Sequence, residues 1–173
     1  MSARRVFLDT NVIIESFRIG AWHELSQGCW LETVQKCEEE SLTGDTSDPQ
    51  HVVVDPAMLK AGCRVIHPVT RKTRNKLFAH HGSMTSLDDG ELELYAHLFV
   101  NESPLPPLLA ISTADKGAIV RAKDLGWLDR LVSLEELLSG VGIARPKMAA
   151  LRTAHRAAFL SDVRTKVYLN MIP

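Results

Sequence analysis

The feature that most constrains the fold is a short apolar run that stops at a group of helix-capping residues. Residues 6–8 read Val-Phe-Leu, and Asp9, Thr10 and Asn11 follow at once. These three residue types are favoured at helix N-caps, and an apolar pattern with mostly helical spacing comes after them. The pattern predicts a strand, a tight turn and a helix, with Asp9 at the carboxyl end of the strand.

The same arrangement returns later in the chain. Residues 108–111 form an apolar run, Asp115 follows it, and a helical pattern covers residues 114–125 before Gly126. Short apolar strands that alternate with amphipathic helices are typical of a parallel sheet covered on both faces. The chain is therefore predicted to be α/β, a three-layer α/β/α sandwich with a central parallel sheet and a C-terminal helical extension.

The remaining elements follow from apolar spacing and turn residues. Strands are predicted at residues 29–31 and 131–132, and helices at 33–42 (capped by Thr33), 56–64, 69–80, 86–100 and 134–138. Residues 52–54 are either a small strand or an extended connector. An amphipathic helix is predicted within residues 148–168, after a boundary near residues 140–146. The predicted domains are a core of residues 4–140 and a basic extension of residues 141–173.

Composition excludes several classes of protein. Hydrophobic residues make up 45% of the chain, yet no apolar run approaches the roughly 20 residues that a membrane helix needs. The N-terminus has no apolar stretch long enough for a signal peptide, so a cytoplasmic protein without a membrane partner is expected. Three cysteines are an odd number without a C-x-x-C pair, which disfavours a disulfide framework or a structural zinc site.

Charge is unevenly distributed along the chain. The net charge is −1, but the last 29 residues contain six Lys/Arg and one Asp, so they carry +5 and the rest carries −6. A second basic stretch contains Arg71, Lys72 and Arg74. An acidic body with basic flanks suits a metal site that binds a polyanion, with Arg152 and Arg156 also in contact with phosphates. The simpler interpretation is that these cations are solvated helix faces.

Acidic side chains stand where a parallel sheet forms a site. Asp9 and Asp115 each follow a predicted strand, and ligand sites of open parallel sheets lie beyond the carboxyl ends of the strands. Further carboxylates come from residues 38–40 and 88–91. Clustered carboxylates repel one another unless a cation neutralises them, and oxygen ligands favour Mg²⁺ or Mn²⁺. Taken singly, Asp9 and Asp115 can also be read as simple helix caps and residues 38–40 as a solvated helix face, but their joint placement favours a site.

Four segments, in order, resemble the PIN-domain family. Residues 6–14 resemble its opening motif, a strand that ends in Asp-x-Asn, and residues 111–115 resemble its later strand that ends in Thr/Ser-x-Asp. Residues 87–91 are similar to a Leu-Asp-x-Gly-Glu helix start of one PIN branch, and residues 40–44 to the Glu-x-x-x-Gly segment. The resemblance covers about residues 4–138.

The resemblance implies a Mg²⁺- or Mn²⁺-dependent ribonuclease with Asp9, Glu40, Glu91 and Asp115 as catalytic metal ligands. It also implies that Asn11 and Thr113 orient ligands or water. Glu39 competes with Glu40, because the helix register fits either, and Asp88 or Asp89 competes with Glu91 within one helical turn.

The family also implies an RNA substrate. Two kinds of PIN nuclease fit: the toxin of a type II toxin–antitoxin pair of VapC type, with a small antitoxin or a second copy of the chain as partner, and a stand-alone nuclease. Two alternatives stay open: a non-catalytic RNA-binding or scaffold PIN domain with a degenerate site, and a metal-dependent phosphatase acting on small phosphoesters.

Overall fold

A parallel sheet organises the computed structural model, which describes residues 4–172. Its strands are β1 (Arg4–Leu8), β2 (Cys29–Val34), β3 (Cys63–His67) and β4 (Leu109–Ser112), in the order β3-β2-β1-β4. All three strand pairs are parallel. The chain steps from β1 to β2 to β3 in one direction, and β4 then joins the other side of β1. The order of the strands therefore reverses between β1 and β4, which is where open α/β sheets bind ligands.

Helices connect the strands and follow the last one. They are α1 (Thr10–Arg18), α2 (Trp22–Gly28), α3 (Gln35–Leu42), α4 (Pro56–Gly62), α5 (Arg71–His80), α6 (Asp89–Asn101), α7 (Lys116–Asp124), α8 (Leu134–Gly140), α9 (Arg145–Ala149) and α10 (Ala157–Tyr168). Three short 3₁₀ turns lie at Gly82–Ser86, Leu128–Arg130 and Thr153–His155. No helix in the described range is long and apolar enough to cross a membrane.

Both faces of the sheet are covered. Side chains alternate along a strand, so Phe7 points to one face and Val6 and Leu8 to the other, and all three are fully buried. The ring of Phe7 lies 5.7 Å from that of His97 on α6, which places α6 over the Phe7 face. The three-layer α/β/α architecture predicted from the sequence is confirmed.

Several predicted boundaries were wrong. Thr33 does not cap a helix; it lies in β2, where its hydroxyl donates to the carbonyl of Leu8 at 2.7 Å, and α3 begins two residues later. The predicted helix of residues 56–64 ends at Gly62, because Cys63 begins β3, a strand that apolar spacing did not reveal. Residues 52–54 are a connector, and Leu131 forms a single bridge to Ile111 instead of a strand.

The C-terminal extension is helical but interrupted. The single helix predicted within residues 148–168 is replaced by the end of α9, a 3₁₀ turn and α10, and Leu160, Val163 and Val167 of α10 are buried. The division of the chain after residue 140 stays a prediction, and residue 173 lies outside the described part. Each of the three cysteines is buried and free, as expected.

Candidate active site

Asp9 lies at the carboxyl end of the central strand, and its side chain is almost completely buried. It is the N-cap of α1, where Oδ1 accepts the backbone N–H of Thr10 at 2.6 Å. Oδ2 accepts the hydroxyl of Thr113 at 3.0 Å. The backbone N–H of Asp9 donates to the carbonyl of Ser112 at 3.0 Å, which continues the ladder between β1 and β4 past the last strand residue. Both carboxylate oxygens are therefore held in place by the ends of two neighbouring strands.

Asp115 is placed in the same way after β4. It is the N-cap of α7, and Oδ1 accepts the backbone N–H of Ala118 at 2.8 Å. Thr113 connects the two aspartates, because its hydroxyl accepts the N–H of Asp115 at 3.1 Å and donates to Asp9. The hydroxyl of Thr113 thus bonds the carboxylate of Asp9 and the backbone of Asp115.

The charges of these acids act on one another. Burial raises the pKa of Asp9 to about 7, and the negative charges of Asp115 and Glu40 add to the effect against the two threonine hydrogen bonds. Burial likewise raises the pKa of Glu91, in the first turn of α6, to about 9, with the charges of Asp9 and Asp115 acting in the same direction. Asp9, Glu40, Glu91 and Asp115, hereafter the acid cluster, therefore share one electrostatic environment at the sheet edge.

The choice between Glu39 and Glu40 is made by tertiary contacts. Oε2 of Glu40 accepts the hydroxyl of Thr10 at 2.8 Å, beside Asp9. Glu39 is exposed on another side of α3, where it accepts from Lys36 at 3.4 Å. Glu40 also lies against the first turn of α6, because a Cβ added to Gly90 would overlap its Oε2. Of the two candidates, the fold brings Glu40 to the other acids.

The alternatives to Glu91 lie farther out. Asp88 and Asp89 are exposed, while Glu91 is 6% exposed. Asp89 accepts from Arg74 at 3.2 Å, toward α5. Asp88 is the N-cap of α6, and its charge contributes to the raised pKa of Glu91 while its backbone N–H bonds the Glu91 carboxylate. Asp88 is therefore a neighbour of the acid cluster, and Asp89 faces away from it.

The sequence-based assignment missed Thr10 and overestimated Asn11. Thr10 holds Glu40, whereas Asn11 is exposed and makes no hydrogen bond to an acid within residues 4–172. The two residues are adjacent in the same capping motif, so residue type did not distinguish them. Gly90 was also missed as a contact residue. Its lack of a side chain allows α3 and α6 to approach each other at the site.

The acids fit a hard divalent cation by their chemistry. Every donor is a carboxylate oxygen, and burial raises the pKa values of Asp9 and Glu91, with the charges of neighbouring acids acting in the same direction. The oxygens of Asp9 each accept one hydrogen bond, which leaves each a lone pair for a cation. Among the described residues, however, no three acidic, histidine or cysteine side chains lie together as a ready ligand set. A cation would have to draw the carboxylates together.

The predicted RNA-binding cations have different surroundings. Arg71 and Lys72 are exposed at the start of α5. Arg74 lies between α5 and α6, paired with Asp89 at 3.2 Å and Glu93 at 3.6 Å. Of these three cations, Arg74 is therefore in contact with the helix that supplies Glu91.

Lys116 was not predicted as a candidate, although it directly follows Asp115 and is exposed on the first turn of α7. Arg152 and Arg156 pair with acids of the body, Glu15 at 3.8 Å and Glu135 at 3.4 Å. The fold thus separates the cations near α5 from those of the C-terminal extension.

No protein-family model matches the chain, and no curated protein or solved structure does either. A functional proposal therefore rests on the geometry of the acid cluster and on the resemblance of its motifs.

Proposed function

We propose that this protein is a metal-dependent endoribonuclease of the PIN type, which hydrolyses RNA phosphodiester bonds with Mg²⁺ or Mn²⁺. One observation carries the proposal: four carboxylates from β1, α3, α6 and β4 share one negatively charged environment at the reversal point of the sheet. Burial raises the pKa values of Asp9 and Glu91 there, and the charges of the neighbouring acids raise them further. Perturbed carboxylates in this position are typical of catalytic sites.

Asp9 and Asp115 are the fixed ligands in this proposal. Each is a helix N-cap, and Thr113 bonds both, so their positions depend on the backbone of β1 and β4. Glu40 and Glu91 come from the helices α3 and α6. A bound divalent ion would supply an activated water and stabilise the leaving oxygen of the phosphodiester.

Metal binding should be coupled to the release of a proton from Glu91. With a pKa near 9 its carboxyl group is protonated at neutral pH in the metal-free protein. A cation favours the charged form, so binding should release a proton from Glu91. Apparent metal affinity is therefore expected to rise with pH.

RNA would approach over the α5 side of the cluster. Arg71 and Lys72 are free on the surface there, and Lys116 lies beside Asp115. Cations outside an acidic centre can hold phosphates while metal neutralises the centre itself. Whether an antitoxin or a second copy of the chain covers this side stays a prediction.

A second function, a non-catalytic RNA-binding or scaffold domain, is favoured by one observation. The acids of the described chain do not lie together as a complete ligand set. In that case RNA would bind to the same cations without being cut.

Cleavage of a fluorescent RNA oligomer with millimolar Mn²⁺ tests the proposal. Asp9→Asn keeps the size of the side chain but removes a ligand charge, and the expected result is loss of cleavage by at least about 100-fold. Asp162→Asn, at an exposed position on α10, is the matched control and should cleave like the wild type. RNA binding by the wild type without Mn²⁺-dependent cleavage would instead support the scaffold function.

A further inference from the structure

Four cations of the C-terminal extension contact the body of the protein: Lys147, Arg152, Arg156 and Arg164. Lys147 on α9 donates to the carbonyl of Gly20 at 2.6 Å and pairs with Glu24. The backbone N–H of Arg152 donates to Oε1 of Glu15 at 2.8 Å, and its Nε lies 3.8 Å from the other oxygen. Both contacts are made to the α1–α2 region. They attach the extension to the second half of α1, to the turn after it and to α2.

Glu15 is the centre of this attachment. It is 1% exposed, and Arg18 donates to both of its oxygens at 2.7 and 2.6 Å. Arg18 also donates to the carbonyl of Ala150 at 2.6 Å. Burial alone would raise the pKa of Glu15, but the hydrogen bonds from Arg18 and Arg152 outweigh it and the pKa is lowered. Glu15 is thus a charged group that the extension helps to satisfy.

The second half of the extension is attached to α7 and α8. Oε2 of Glu135, on α8, accepts the backbone N–H of Ala157 at 2.8 Å at the start of α10. Near the end of α10, Lys123 of α7 donates to the carbonyl of Val167 at 3.2 Å and to Oδ1 of Asn170 at 2.6 Å. Arg164 donates to the carbonyl of Leu131 at 2.8 Å. The C-terminal end of α7 is therefore held by the extension.

The helices held in this way are the two that Asp9 and Asp115 cap. Arg152 bonds Glu15 in the second half of α1, Lys147 bonds the carbonyl of Gly20 just after α1, and Lys123 lies in the last turn of α7. We infer that residues 145–172 form an intramolecular brace, which positions Asp9 and Asp115 by anchoring the far ends of their helices. Lys147 and Lys123 are then positioning residues for the acid cluster.

The charges support a brace better than an RNA-binding arm. Lys147, Arg152 and Arg156 all pair with carboxylates of the body, and Arg164 bonds a backbone carbonyl. Among the lysines and arginines of the extension within residues 4–172, only Arg145 is exposed without an ion pair or side-chain hydrogen bond. The uneven charge of the sequence is thus compensated inside the molecule, where it joins the extension to the acidic body.

The experiment compares three lysine-to-methionine variants. Lys147→Met removes the contacts to Gly20, just after α1, and to Glu24 on α2, and Lys123→Met removes the contacts between the end of α7 and the extension. Lys166→Met is the matched control, because Lys166 pairs only with Asp162 within α10. Hydrogen exchange followed by NMR reports the two cap hydrogen bonds directly, through the amides of Thr10 and Ala118. Amides of β2 report global unfolding, and Mn²⁺ affinity is measured in parallel by calorimetry.

Lys147→Met is expected to speed exchange at Thr10, and Lys123→Met at Ala118, by about 2- to 30-fold beyond any change in β2. Mn²⁺ affinity should fall by a similar factor in both variants and stay unchanged in Lys166→Met. Cap amides that change no more than those of β2 would overturn the brace. The expected loss of Mn²⁺ affinity rests on the proposed function. A wild type that fails to bind Mn²⁺ refutes that function, while the exchange pattern still shows whether the extension acts as a brace.

Discussion

Replacing Glu91 with glutamine should stabilise the metal-free protein above about pH 5. Glutamine has nearly the same shape and can still accept the N–H of Asp88, but it cannot ionise. In the folded chain the pKa of Glu91 is about 9, against an ordinary value of 4.5. The wild type therefore loses stability as pH rises from 4.5 through 9, because the unfolded chain releases this proton more readily than the folded chain does.

The size of the effect follows from the two pKa values. Each pH unit between them changes the free energy of unfolding by about 1.4 kcal/mol, which gives an upper bound of about 3 kcal/mol at pH 7. Solvent contact and rearrangement of the neighbouring acids reduce this figure, so about 1–3 kcal/mol is expected at pH 7. At pH 5 the difference should be below about 1 kcal/mol.

Urea denaturation with EDTA present, at pH 5, 6, 7 and 8, measures the difference between wild type and Glu91→Gln. Glu39→Gln, at an exposed position on α3, is the control and should show a small difference without this pH trend. Addition of Mn²⁺ should stabilise the wild type more than Glu91→Gln, because the variant lacks a ligand charge. A stability difference that stays constant from pH 5 to pH 8 would refute the assignment of Glu91 to a shared anionic site.

Two further predictions concern groups around the sheet. Gly90→Ala should leave the free energy of unfolding, measured in urea, within about 1 kcal/mol of wild type. The helix gains stability from alanine, while the new Cβ displaces Glu40 and lies 2.9 Å from the Thr10 hydroxyl. Mn²⁺ affinity should nevertheless fall, by about 10-fold or more in calorimetry. His97 has a pKa lowered to about 4 by burial and by the charge of His67. Because this folded pKa is below the ordinary value of 6.5, the free energy of unfolding should fall by about 1–2 kcal/mol as pH falls from 6.5 to 5. His97→Gln should remove that pH-dependent loss of stability in urea denaturation.

Local sequence was sufficient for the most important part of the site. The apolar runs before Asp9 and Asp115, and the capping residue types that follow them, identify strand ends and helix starts without any knowledge of the fold. Parallel pairing then requires both aspartates to lie at the same edge of the sheet. The α/β class and its central parallel sheet followed from the same alternation.

Local sequence was not sufficient where the deciding contact lies far along the chain. β3 is a strand because it pairs with β2, and its own residues show no alternation that would predict it. Thr33 carries the residue type of a helix cap, yet its partner is the carbonyl of Leu8, which is distant in sequence.

Only the tertiary structure distinguished Glu40 from Glu39, because the choice depends on Thr10 and Gly90 meeting α3 across the site. The same holds for the basic C-terminus. Its charge can be counted in the sequence, but its partners Glu15 and Glu135 are chosen by the fold. Strand ends and caps are local properties of neighbouring residues, whereas the pairing of a charge depends on which distant surfaces the packed core brings within reach.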